Sequence, residues 1–180
     1  MRRRRAAPRR PPGGRAGLSH LDAAGRVRMV DVGGKPPTLR EAAAAGSIRM
    51  SAQAYRAVRA GAAAKGDVLA VARVAGIAAA KRTSELIPLC HTLPLDHVGV
   101  AIRLLPGRRA IEVEASVRSR WSTGVEMEAL VAVAASLLTI YDMVKGIDRG
   151  MTIEAVRLLR KSGGRSGPYR RPVNSKAGRP

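Results

Sequence analysis

Two stretches of the chain alternate apolar and polar positions with the two-residue period of a half-buried strand. In the first, Val98, Val100, Ile102 and Leu104 alternate with Gly99, Ala101, Arg103 and Leu105. In the second, Ile111, Val113, Ala115 and Val117 alternate with Glu112, Glu114, Ser116 and Arg118. Pro106-Gly107 lies between them and suits the central positions of a type II turn. The pattern predicts a β-hairpin with one buried and one polar face.

Elsewhere the apolar period is helical. A helix is predicted after an N-cap at Ser51, ending near Gly61. The next, "GDVLAVARVAGIAAAKRT", is apolar almost all round and predicts a well-buried helix. "STGVEMEALVAVAASLLTIYDMVKGI" predicts a long helix, with Thr123 and Glu126 at capping-box spacing and Gly146 as its stop. "MTIEAVRLLRKSGG" predicts a last strand running into a glycine-rich end. "TLREAAAAGSIRM" suits a strand, but its Ala42–Ala45 run suits a helix as well, and propensity does not choose. The order predicts an α+β fold of ferredoxin-like type, an antiparallel sheet with helices packed on one face.

Composition narrows the picture. With 46% hydrophobic residues but no Phe and one Trp, the core must be built from aliphatic side chains and Met. No uninterrupted apolar run approaches the roughly 20 residues of a membrane span, so no membrane partner is expected. The formal charge of +20 is uneven: residues 1–15 and 165–180 together carry +12, which leaves +8 on residues 16–164. Both ends are also rich in Pro with Gly or Ser, which predicts disordered basic tails at 1–17 and 165–180 around a single domain at 18–164. Such tails are either nucleic-acid arms or solvated ends. The N-terminal Arg run lacks the apolar segment of a secretion signal. A single cysteine allows no internal disulfide and suits the cytoplasm.

Several charged residues interrupt apolar patterns. Glu126, Glu128, Asp142 and Lys145 sit on the long helix. Glu128 and Asp142 point within about 40° of each other but lie about 21 Å apart along the axis. Two chains packing this helix antiparallel would bring one Glu128 end to the other's Asp142 end, the arrangement of a homo-oligomer with shared sites. The plainer readings are a cap for Glu126 and an exposed ion pair for Asp142 and Lys145. Lys65 precedes a helix start at Asp67, where a cation makes sense if an anion binds; a plain loop is the alternative. Lys161-Ser162-Gly163-Gly164 is a similar basic corner. In "ELIPLCHTLPL" the lone Cys90 adjoins His91 between Pro88 and Pro94. Zinc would need partners that no CxxC or HxxxH spacing supplies. A nucleophile would need a base held by an orienting group. A buried structural pair and a stiffened binding loop remain.

"MVDVGGKPPTLREA", "KGDVLAVARVAGIAAAKRTSELIPLCHTLPL", "TGVEMEALVAVAASLLTIYDMVK" and "VRLLRKSGGRSG" together resemble the cyclic pyranopterin monophosphate synthase family of molybdenum cofactor biosynthesis, across Leu18 to Gly167. The resemblance implies a ferredoxin-like subunit in a homohexamer, a trimer of dimers, with sites at subunit interfaces. It implies conversion of (8S)-3′,8-cyclo-7,8-dihydroguanosine 5′-triphosphate, made from GTP by a radical-SAM enzyme, to cyclic pyranopterin monophosphate and pyrophosphate. It assigns Asp142 and Lys145 as the acid–base pair. Leu89, Cys90 and His91 match a substrate loop, and Glu126, Met127 and Glu128 match a second substrate-binding stretch. Lys65, Arg40 and Lys161 match basic positions facing phosphate. No cofactor is required, and Mg²⁺ can accompany the triphosphate. Thr92 and Ser122 depart from the family's usual Pro and Lys. The rival expectation is a non-catalytic nucleic-acid-binding protein, which the scarcity of aromatic residues disfavours.

Overall fold

The alanine run that suits helix and strand equally becomes the central strand of the sheet. A computed structural model of the chain describes residues 25–61 and 66–172. The chain divides into two compact units, Met1–Val30 and Asp31–Pro180. In the first, the described residues 25–30 contribute one bridge-paired residue, Val27. In the second, β1 (Thr38–Arg49) leads to α1 (Ala52–Arg59), α2 (Val68–Ala80) and the one-turn α3 (Thr83–Leu86). The hairpin of β2 (His97–Leu105) and β3 (Ala110–Trp121) follows, then α4 (Glu126–Val144), β4 (Thr152–Ser162) and the short β5 (Tyr169–Arg170). The strands form one antiparallel sheet in the order β2-β3-β1-β4-β5. With β5 set aside, the plan is the ferredoxin-like β-α-β-β-α-β arrangement.

Packing decides what propensity leaves open in β1. Ala42, Ala44 and Ile48 join Ile111, Val113, Ala115 and Val117 in a core closed by Val133, Leu137 and Ile140 of α4. The helix lies so close that a Cβ at Gly46 would come within 2.9 Å of Leu137 Cδ1. α2 packs on α4 and β2. On the other face Ala43, Ala45 and Ser47 are also buried, but beneath long charged side chains. Ala45 pairs with Glu114 and Ser47 with Glu112. Arg103 reaches Glu112 at 2.6 Å and Glu114 at 3.5 Å, and Arg160 reaches Glu114 at 3.8 Å. A small-residue strand roofed by an Arg–Glu lattice is thus closed on both sides.

The predicted hairpin pairs as expected, with Ile102 opposite Val113 and Val100 opposite Ala115. Its turn differs. A 3₁₀ turn spans Pro106–Arg108, and the left-handed residue is Arg109 at φ 48°, not Gly107. Proline at the first position fixes a helical φ, and four residues rather than two join Leu105 to Ala110. Ser51 caps α1 as predicted, its hydroxyl accepting from Ala54 N at 3.2 Å. The capping box does not form: α4 starts after Val125 with no side-chain cap. α2 is not buried all round, because a two-layer fold covers only one side of it. Val68, Ala72, Gly76 and Ala80 are buried, whereas Val71 and Val74 are 46% and 66% exposed. β5 lies within 165–180, the stretch expected to be a tail, with Tyr169 paired to Lys161. α4, at 19 residues, is long and apolar enough by composition to cross a membrane, but half of that window is buried in the fold.

The contact between α2 and α4 depends on a missing side chain. A Cβ at Gly76 would overlap Ser136 Oγ and lie 2.9 Å from the Ala132 carbonyl oxygen. Ser136 Oγ instead donates to Ala72 O at 2.9 Å, inside the core. Gly76→Ala is expected to force the helices apart and cost about 2–3 kcal/mol, combining overpacking with a strained buried hydrogen bond. Urea titration followed by circular dichroism measures it; an unchanged midpoint would show that the helices slide without loss.

Candidate active site

The start of α4 brings charged side chains together on the helix-bearing side. Glu126 Oε1 lies 3.8 Å from Lys161 Nζ, which also donates to Ser166 Oγ. This pairing explains the absent capping box: the carboxylate folds back over Gly124, where a Cβ would overlap Glu126 Oε2, and faces β4 instead of the Thr123 backbone. Lys161 is held in place by its strand, since it pairs with Ala42 of β1 on one side and Tyr169 of β5 on the other. Its side chain is only 16% exposed.

Two residues along α4, Glu128 is buried at 4% exposure. Burial pushes its carboxyl up to about 7; its own backbone N–H offsets part of the rise and the charge of Glu126 adds to it. Met127 between them is half-buried. Glu128 in turn faces Cys90, whose thiol is pushed up by burial first and by the Glu128 charge second. A thiol held protonated is a poor nucleophile and a poor metal ligand. The segment after α3 is pinned rather than loose. Cys90 N donates to Ile87 O at 3.0 Å, Ser119 Oγ to Pro94 O at 2.6 Å, and Asp96 N to Arg118 O at 2.9 Å. Leu93 and Leu95 pack against the core, and Leu89, Cys90 and His91 are half-buried. Thr92, in place of the expected proline, donates to Ser84 Oγ at 3.0 Å and so restrains the loop by another route.

Arg40 stands at the same end of the sheet. Its Nε donates to Trp121 O at 3.2 Å and its Nη2 to Ser122 O at 3.3 Å. The glycine pair of the Lys161 corner gives it room: Gly163 and Gly164 have φ 85° and 79°, and a Cβ on Gly164 would overlap Arg40 Nη1. Ser122, where a lysine was expected, spends its hydroxyl on Lys35 O at 2.8 Å.

Asp142 and Lys145 form a 2.6 Å ion pair in the last turn of α4, about half exposed. The ~1.5 Å rise per residue puts Asp142 about 21 Å and Lys145 about 26 Å from Glu128 along the axis. The structure therefore gathers Glu126, Glu128, Cys90 and Lys161 at one end of α4, sets Arg40 beside the glycines that follow Lys161, and leaves Asp142 and Lys145 at the other end. Lys65 lies outside the described residues. Among the described residues no three His, Cys, Asp or Glu side chains gather as a metal site. Ser166 and Gly124 went unnoticed in the sequence. Neither has a local signal, because each matters only through a partner brought by folding.

A sequence profile of the MoaC family matches residues 29–164. The chain belongs to the MoaC family. A Thermomicrobium roseum protein named cyclic pyranopterin monophosphate synthase is 58% identical over 156 residues, covering 87% of this chain and 94% of its own length. A relative of the same name from Roseiflexus sp. (strain RS-1) is 59% identical over 152 residues, covering 84% and 96%. Another, from Cereibacter sphaeroides, is 53% identical over 154 residues, covering 86% and 97%. The MoaC match runs from just before β1 to the Gly163-Gly164 corner, so it spans both charged ends of α4.

Because the Glu128 carboxyl is raised from 4.5 to about 7, folding favours its protonated form. That contribution is full below about pH 4.5 and is lost as pH rises through about 7. Glu128→Gln is expected to be nearly neutral at pH 5 and to stabilise by about 2–3 kcal/mol at pH 8.5. Thermal melts across that range test this; parallel curves for both proteins would mean that Glu128 is ionised throughout.

Proposed function

We propose that this chain is a cyclic pyranopterin monophosphate synthase, a phosphorus–oxygen lyase acting early in molybdenum cofactor biosynthesis. The observation that carries the reading is identity of 53–59% to proteins of that name over nearly their whole length. The substrate is (8S)-3′,8-cyclo-7,8-dihydroguanosine 5′-triphosphate, supplied by a radical-SAM GTP cyclase, and the products are cyclic pyranopterin monophosphate and pyrophosphate. The cytoplasm is the compartment this reading implies. On this reading the activity requires no resident cofactor, and Mg²⁺ can accompany the triphosphate. The basic nucleic-acid-binding alternative gains no support from the relatives.

The residues fit the chemistry. Lys161, Arg40 and Lys65 supply fixed positive charge for a triphosphate and for the pyrophosphate that leaves. A phosphate arriving at Lys161 competes with Glu126, which already occupies that cation. Glu128, held near neutrality, and the Asp142–Lys145 pair can hold and pass protons while the guanine-derived ring is rebuilt. His91 and Leu89 on the pinned loop contact the substrate, and Cys90 serves as a neutral wall of the site.

The two clusters are too far apart to act on one small molecule within a protomer. A homohexamer built as a trimer of dimers unites them if Asp142 and Lys145 of one protomer meet the Glu128 end of its partner. Val71, Val74 and Leu138, exposed at 46%, 66% and 60%, supply apolar surface on the α2–α4 layer for such contacts.

A coupled assay tests both levels. Supplied with GTP and the radical-SAM cyclase, the wild type is expected to give the fluorescent oxidised pterin, and Asp142→Asn, Lys145→Ala and Lys161→Ala to give none. Co-expressed Asp142→Asn and Lys161→Ala chains are expected to regain about a quarter of the activity, since half of randomly formed dimers are mixed and carry one intact site of two. No product from the wild type would sink the activity. No recovery on mixing would place each site within one chain.

A further inference from the structure

Arg160 and Lys161 are neighbours on β4 and serve opposite faces of the sheet, as strand alternation requires. Lys161 reaches Glu126 on the helix side, whereas Arg160 reaches Glu114 on the other. On that second face a cavity of about 550 Å³ crosses the end of the sheet. It is lined by His97 of β2, Arg118 of β3, Glu41 of β1, Arg160 and Lys161 of β4 and Arg170 of β5, among others, with the Lys161 ammonium turned away toward Glu126. The register brings them together: Glu41 pairs with Arg118 and Ser162, His97 with Arg118, and Arg160 with Arg170. Three guanidiniums therefore face one carboxylate.

That carboxylate offers the arginines little. Glu41 accepts from Ser162 Oγ at 3.4 Å and makes no ion pair within 4.0 Å with the lining arginines. Arg160 is shared with Glu114 at 3.8 Å, and Arg118 and Arg170 pair with no carboxylate among the described residues. Elsewhere on this face Arg103 is matched by Glu112 and Glu114, and Arg49 and Arg108 by Glu154, while Arg157 turns back to donate to Ala155 O at 2.6 Å. The concave end thus gathers three guanidiniums around one weakly engaged carboxylate. Its volume is in the range of small-ligand sites, and fork-shaped guanidiniums are suited to bidentate contact with phosphate oxygens.

We propose that this cleft, bounded by Arg118, Arg160 and Arg170, is a second anion site that binds a di- or triphosphate group on the sheet face opposite the candidate active site. It goes beyond the proposed activity, because binding there requires no turnover.

The test is calorimetric titration of the full-length chain with inorganic triphosphate and, separately, with GTP, which distinguishes a free phosphoanion from a nucleotide as the source. The Arg118→Ala, Arg170→Ala double variant is expected to lose a site that the Arg40→Ala variant keeps, with affinity falling at least about tenfold. Arg118→Lys, Arg170→Lys keeps the charge and is expected to retain most of the binding, which separates loss of the site from loss of the fold. Triphosphate binding unchanged in the double alanine variant overturns the proposal. So does a change in sedimentation with binding intact, which would make this face a contact between copies. A chain that fails the coupled assay but shows the expected pattern here keeps the cleft and loses the synthase reading.

Discussion

The position of α4 rests on two missing side chains. Gly46 lets the helix settle onto the middle of β1, and Gly76 lets α2 settle onto the helix, with Ser136 bonded to Ala72 in the gap. Interiors are close-packed, so a helix held from two sides has little freedom to slide or roll. This fixes where both ends of α4 emerge. One end meets the Lys161 corner and the pinned loop, and the other presents Asp142 and Lys145. The placement of both charged ends follows from an axis set by two glycines.

Those same ends show how burial divides labour among acids of one type. Glu126 and Glu128 are two residues apart on one helix. Glu126 has a cation at 3.8 Å and belongs to an ion pair. Glu128 has none that near, is almost wholly buried, and is held close to neutrality. An acid poised to gain or lose a proton near neutral pH, beside a thiol held protonated and an adjacent ion pair, makes a region able to move protons.

What could be read from the sequence followed periodicity. The hairpin strands, the Ser51 cap, α4 and β4 were legible because their own residues carry the signal. β1 was not, since four alanines become a strand only when β3 and β4 flank them and α4 covers them. The turn after β2 misled because Pro106-Gly107 names a turn type that the four-residue spacing does not use. The capping box misled because Glu126 has a stronger partner, Lys161, that no local pattern reveals. At the site, the motifs placed the chain in its family and nominated candidate residues, whereas the separation of those candidates into two clusters is a property of helix length and packing.

The placement of β1 also sets an order of events. Ala44 pairs with Ala115 on one side and with Leu158 on the other, so the strand that comes first in the chain is completed last. During synthesis it must wait, unpaired, while the hairpin and long helix emerge. A strand of Val and Ile left waiting would invite association with other nascent chains. Ala, Gly and Ser make a strand that is weakly adhesive until its neighbours arrive. The blandness of "EAAAAGS", which hides its structure from a reader of the sequence, thereby also shields it from premature partners.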